Sequence, residues 1–178
     1  MTEELFDIVD DTDNVIGQAA RSDVHRSGSL HRGVHLLLFD SAGCLLIQKR
    51  SADRRQYASL WDCSVSEHVK AGESYLEAAI RGAKEELGVD AHALRPLFKF
   101  RMEYGPNDNE ISVAYEGEVD PARVRFDAEE VGEVAYVGLV ELSARMRRRP
   151  QEFCKWFLEI MKWHRRRPSA LNVLQRWQ

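Results

Sequence analysis

EHVKAGESYLEAAIRGAKEELGV, residues 67–89, reads as a loop, a helix and a second loop. Ser74 suits an N-cap, and Glu77 three residues on completes a capping box. Leu76, Ala79, Ile80, Ala83 and Leu87 recur at helical spacing and predict one buried face. Gly88 is placed to end the helix in a left-handed turn. The other side carries Glu77, Arg81, Glu85 and Glu86. At about 100° per residue, Glu85 and Glu86 are expected to point away from the apolar face, with Gly82 one turn earlier between them. Two adjacent acids beside a loop suit a hard, oxygen-seeking cation such as Mg2+. The same residues also suit a solvated acidic helix face.

The chain around this stretch has 178 residues, 44% of them hydrophobic, which fits one globular domain with a sizeable core. No apolar run approaches the ~20 residues of a membrane span. The opening MTEELFDIVDD is acidic where a signal peptide would be basic. Cys44, Cys63 and Cys154 are an odd set without CxxC spacing, as expected of reduced thiols in a cytoplasmic protein. A net charge of -4 argues against nucleic acid as the main partner, although residues 145–149 and 165–167 are basic.

Residues 5–9 and 15–19 flank the turn signal DDTDN and predict a hairpin. Residues 21–30 read as a polar loop, and 34–39 as a buried strand with 44–48 returning. Residues 49–56 form a basic loop, and 60–68 an extended segment leading to the 67–89 stretch. Strands are expected at 97–104, 111–116 and 131–137. Helices are expected at 140–148 and 152–165, separated by Pro150, with Phe153, Trp156, Phe157 and Ile160 on one face. The tail, 168–178, shows no clear period. This mixture predicts an α/β domain with helices on both sides of a mixed sheet.

The 67–89 stretch resembles a Nudix box, G-x5-E-x7-R-E-U-x-E-E-x-G-U with U aliphatic. Glu73, Arg81, Ala83, Glu85, Glu86, Gly88 and Val89 stand in register with it. Two positions depart: Glu67 occupies the first glycine position, and Gly82 the acid position after the arginine. The resemblance implies the Nudix fold, an α/β/α sandwich with a mixed central sheet. It would occupy 1–178 as a single domain: hairpin 1–33, core 34–137, helices 138–167 and tail 168–178. HRSGSLHRGVHLLLF, LLIQKRS and LWDCSVSEHVKAGES are further similar to the branch that holds isopentenyl-diphosphate isomerases and their hydrolase relatives. That similarity runs from about Phe6 to about Trp163.

The resemblance also implies roles. Mg2+, with Mn2+ as the alternative, would be bound by Glu85 and Glu86, by the backbone carbonyl of Ser66, and by Glu110 from the neighbouring strand. Arg81 would be held by Glu77 and Glu85 and so orient the metal acids, while Glu73 braces the loop. A second metal would use His25, His31, His68, Asp108 and Glu110, a donor set suited to a transition metal or zinc. Lys49, Arg50, Arg54 and Arg55 would lie near the diphosphate, and Trp156 resembles the tryptophan that shields a carbocation in the isomerases. The isomerases use a cysteine where Ser66 stands, and a hydroxyl is a far poorer acid or base near neutral pH than a thiol of pKa about 8.5. Cys63, three residues upstream on a strand, is expected to face the opposite side from Ser66.

The function implied first is therefore a Mg2+-dependent hydrolase that cleaves a diphosphate linkage in a small molecule of the nucleoside or prenyl diphosphate type. An isomerase with an altered acid and a diphosphate-binding protein without turnover are the alternatives. The expected partner is that small molecule, with no membrane and no nucleic acid, and a homodimer is left open. The exchange of residue types between positions 67 and 82 adds one expectation. The Glu67 carboxylate should enter the space vacated at Gly82 and do the job of the missing acid, binding a second Mg2+ or taking the proton from water; the alternative is a solvent-facing Glu67 in a weakened or inactive enzyme.

Overall fold

The computed structural model describes residues 3–54 and 56–177. It opens with an antiparallel hairpin of β1 (Leu5–Val9) and β2 (Val15–Ala20). Asp10 shapes the turn between them by accepting from the backbone N–H groups of Thr12 and Asn14. A helix, α1 (Arg21–Ser27), then stands where a loop is expected. Only Val24 of its seven residues is a buried apolar side chain, so the sequence there carries no readable helical period.

The chain continues through β3 (His31–Phe39), β4 (Leu45–Arg50), β5 (Trp61–Asp62), β6 (Val65–His68), α2 (Tyr75–Leu87), β7 (Arg95–Gly105) and β8 (Asp108–Glu118). It ends with β9 (Val131–Val137), α3 (Leu139–Arg148), α4 (Lys155–His164) and β10 (Asn172–Arg176). One sheet runs in the order β10, β7, β8, β3, β4, β5, with β6 paired to β3 and β9 to β4. β3 and β8 are parallel and the other pairings in the sheet are antiparallel, so the sheet is mixed. β3 divides its second edge: residues 33–36 pair with β6, and residues 38–39 with β4.

Alternation along β3 builds two apolar layers. Val34, Leu36 and Leu38 pack with Ala78, Ala79, Ala83 and Leu87 of α2. Leu37 packs on the other face with Phe98, Phe100, Leu142, Phe157 and Ile160. With α2 on one side and α3 and α4 on the other, the molecule is an α/β/α sandwich. Pro150 separates α3 from α4 as expected. Residues 150–152 form a tight turn, however, and α4 begins only at Lys155. The tail supplies β10, an edge strand on β7. Among the described residues no helix is long and apolar enough to cross a membrane.

In α2 the Ser74–Glu77 capping box is made, and Gly88 ends the helix at φ 69°. The buried face differs from the expected stripe. Leu76 is 42% exposed and Ile80 half-buried, while Ala78, Ala79, Gly82, Ala83, Glu86 and Leu87 face the sheet. Small residues let the helix lie close to β6, and the interface is rotated by about one residue. Glu86 therefore points inward at 4% exposure, and not away from the apolar face.

Asp13 fastens the hairpin to this core. Its carboxylate accepts from Arg32 Nε at 2.6 Å, from the Tyr75 hydroxyl at 3.0 Å and from Lys99. Removing one partner of a half-buried charge cluster strands the others. Asp13→Ala is expected to lower the unfolding free energy by about 3 kcal/mol, read by urea denaturation. A loss below about 0.5 kcal/mol, the scale of an ordinary surface substitution, would show that the cluster is not a fastening.

Candidate functional site

A cavity of about 560 Å3 is lined by residues of α1, β3, β6 and β8. Its first wall is histidine-rich, with His31 buried behind the lining residues. His25 from α1, His31 from β3, His68 from β6 and Asp108 from β8 each offer a ligand atom, all within 4.8 Å of one another. His25 Nδ1 lies 3.6 Å from Asp108 Oδ1. Glu110 Oε1 lies 3.7 Å from His31 Nε2 and 3.5 Å from His68 Nε2. Phe6 stacks on the rings of His31 and His68 and closes this wall with an apolar plate.

The His31 ring is set for ligation. Its Nδ1–H donates to the Ser29 carbonyl at 3.0 Å, which leaves Nε2 with a free lone pair. That Nε2 and Asp108 Oδ1 are both buried without a hydrogen-bond partner among the described residues. Burial pushes His31 down to about 4 and His68 well below its ordinary value, so both rings are neutral, the form that binds metal. Orphaned donor atoms facing one another among neutral imidazoles fit a divalent cation.

The second wall is acidic. Glu67 of β6 and Glu110 of β8 line the cavity, and Glu86 of α2 is buried beside Glu67, where it accepts from the Gln48 side-chain amide. Burial pushes the Glu86 carboxyl well above the carboxylate range, and the Glu67 charge adds to it. Burial also raises Glu110 far above that range, with Asp108 and Glu67 contributing. Glu67 and Asp108 are raised for the same first reason, burial. Glu85 is different. It is half exposed and paired with Arg81 at 3.0 Å and Lys70 at 3.9 Å, outside the cavity wall.

Arg81 ties this wall together. Its Nε and Nη2 donate to the two oxygens of Glu73 at 2.8 and 2.9 Å. Nη2 also donates to the His68 carbonyl, and Nη1 to Glu85. Glu73 in turn accepts from the Lys70 backbone N–H at 3.0 Å. Glu77 is not a partner of Arg81, because the capping box with Ser74 occupies it.

Between the walls runs a hydrogen-bonded chain of buried polar residues. Asp62 Oδ1 accepts from the Ser66 hydroxyl at 3.0 Å and from Trp156 Nε1 at 2.6 Å. Since Ser66 donates there, its oxygen accepts from His35 Nδ1–H at 2.9 Å. His35 Nε2 then accepts from the Tyr104 hydroxyl at 2.9 Å. Ser112 Oγ is 2.8 Å from both Tyr104 Oη and Glu110 Oε2. The roles of His35, Asp62, Ser112 and Gln48 are missing from the sequence reading, although a histidine inside the apolar run GVHLLLF was a usable signal. Cys63 is buried on the same side as Ser66, against expectation, because the chain leaves β5 at Asp62 and re-enters pairing only at Val65. That break cancels the strand alternation.

The basic residues divide. Arg50 lines the cavity, 3.4 Å from Asp62 and over the Trp156 ring, and Arg54 lines its mouth while paired with Glu130 at 3.1 Å. Lys49 lies over the Trp61 ring and not in the cavity wall, because alternation along β4 turns it from its neighbour. Arg55 lies outside the described residues. Trp156 lines the cavity and also packs in the core of α4.

The NUDIX domain family matches residues 29–157. The chain belongs to the Nudix family. An isopentenyl-diphosphate Delta-isomerase of Serratia proteamaculans is 34% identical over 179 residues, covering 98% of this chain and 96% of its own. An uncharacterized Nudix hydrolase of Streptomyces coelicolor is 38% identical, covering 81% and 80%. A crystal structure from Deinococcus radiodurans superposes with a TM-score of 0.73 at 29% identity, covering 92% of this chain and 98% of its own. The chain is thus a Nudix protein of the branch close to the isopentenyl-diphosphate isomerases.

The acids give a pH dependence. Glu67, Glu86, Glu110 and Asp108 have raised folded pKa values, so the native chain holds protons there that the unfolded chain has released. Their stabilising contribution is full below the ordinary pKa of about 4 and is lost as pH rises through the raised values. A bound cation offsets the repulsion that then appears. The rise in Tm on adding Mn2+ to the metal-free protein, read by scanning fluorimetry, is expected to be larger at pH 8 than at pH 5. A gain that is equal at both would count against a cation among these acids.

Proposed function

We propose that this protein is a Mg2+-dependent hydrolase that cleaves the diphosphate linkage of a small nucleoside or prenyl diphosphate. The observation that carries the choice of hydrolysis over isomerisation is the state of Ser66. Its hydroxyl proton is committed to Asp62 and its oxygen to His35, so it offers no proton to a double bond. The buried acids support the same reading, since hydrolysis of a diphosphate needs a cation beside the phosphoryl group.

In this reading Glu86, Glu110 and the Ser66 carbonyl hold the ion, and Glu85 joins by turning its exposed side chain from Lys70. An ion held there would supply polarisation of phosphoryl oxygens and a more nucleophilic water. Arg81 and Glu73 keep the loop and α2 in register around it. Arg50 and Arg54 fork onto phosphate oxygens, with Arg54 exchanging Glu130 for the substrate. Arg50 also keeps Asp62 and Trp156 in place for the organic group. His25, His31, His68 and Asp108 would hold a second metal, with Glu110 beside two of these histidines. The setting is cytoplasmic.

The second reading, an isomerase, is favoured by the histidine wall and by relatives that bear that name. Two experiments separate them. Glu86→Gln is expected to keep the fold and lose at least about 100-fold in turnover of a diphosphate panel with Mg2+; full turnover at saturating substrate would remove Glu86 from the metal site. Purified wild-type protein is expected to leave isopentenyl diphosphate unisomerised, followed by NMR. Ready formation of dimethylallyl diphosphate would reverse the ranking, and isomerisation gained only in Ser66→Cys would support it.

A further inference from the structure

Gly82 sits in the interior of α2, where glycine weakens a helix. Its surroundings explain it. A Cβ at Gly82 would lie 3.0 Å from Val65 Cγ1, 3.1 Å from Glu67 Cβ and 3.3 Å from Glu67 Cγ. The stem of Glu67 therefore fills the space that a side chain at position 82 would cross. The box places glycine at the first of these positions and an acid at the second, and this chain has the two exchanged. The exchange conserves volume across the contact between β6 and α2.

The carboxylate of Glu67 is directed inward. Its side chain is 17% exposed and it lines the cavity. One oxygen accepts from the His68 backbone N–H at 2.7 Å and lies 4.0 Å from His68 Nδ1. The other is 3.4 Å from Arg81 Nη1, a long contact that leaves it open to a stronger partner. Glu86 and Glu110 are near enough for its charge to bear on both. A solvated glutamate would show none of these features.

We propose that Glu67 performs, from the strand, the metal-binding work that the Nudix box assigns to an acid at position 82 of the helix. The cation is then held across the β6–α2 contact, by Glu67 with Glu86 and Glu110, and not by successive turns of one helix. The activity arm of this proposal rests on the hydrolase reading; its metal-binding arm does not.

The test uses the full chain and Mn2+ as probe, with bound equivalents counted by the EPR signal of the free ion, beside Tm and diphosphate turnover. Glu67→Gln keeps the shape. It is expected to weaken one Mn2+ equivalent by about tenfold or more, with the Tm in EDTA unchanged or raised. Gly82→Glu alone is expected to lower Tm, since no space receives its side chain. The double variant Glu67→Gly with Gly82→Glu is expected to regain both Tm and the Mn2+ equivalent. Wild-type Mn2+ affinity in Glu67→Gln would overturn the proposal, as would a double variant that folds but lacks that equivalent. If the double variant fails to fold, Glu67→Gln alone decides. Should the wild type turn over no diphosphate, the hydrolase reading fails, and the Mn2+ result still judges Glu67.

Discussion

The site depends on the Arg81 guanidinium. It reaches Glu73 on the loop, Glu85 one turn along its own helix, and the His68 carbonyl and Glu67 on β6. Burial works against its charge, yet the Glu73 bonds and the surrounding acids outweigh that and raise its pKa. A planar fork with five donors can make this set of contacts, and an ammonium cannot. Because those partners belong to three segments, the cation fixes β6, the 69–73 loop and α2 as one unit. Glu67 and Glu86 face the same space as a result.

Much of the fold was legible, for local reasons. The capping box and the glycine stop of α2 act within a few residues, as do the alternating and apolar runs of β3, β4, β7, β8 and β9. What was not legible is non-local. α1 has one buried apolar side chain, and β10 exists because β7 offers it an edge. The orientation of Glu86 depends on how closely small residues let α2 approach the sheet, which helical periodicity does not encode. The Asp62–Ser66–His35–Tyr104 chain joins four segments, and no spacing rule links them. The histidine wall was named residue by residue through resemblance. Its geometry, with His31 Nε2 bare and Phe6 stacked against two rings, came only from the structure.

The same chain explains why Ser66 is informative. A serine without structural work would donate to solvent or to nothing. Here it joins the buried Asp62 to His35 and so holds both. Leaving the buried His35 Nδ1–H unpaired costs about 1–3 kcal/mol, so this serine has structural work that a thiol, a weak acceptor, does less well. Ser66 thus ties β5, β6 and β3 together beneath the pocket.

Glycines mark the other side of the design. Glu110 leans across β3 at Gly33, where a Cβ would stand 2.0 Å from its Oε2, and Glu67 leans over Gly82. Each glycine stands inside a regular element, where it weakens the strand or helix by roughly 0.5–1 kcal/mol relative to alanine. Both vacancies serve one end: they let two glutamates turn into a cavity that Asp108 also lines, with Glu86 buried beside Glu67. Carboxylates gathered in a poorly hydrated space repel one another, so on stability alone this arrangement is unfavourable. A cation reverses the sign of that term, and the glycines, the raised acids and the bare His31 nitrogen then follow from one requirement.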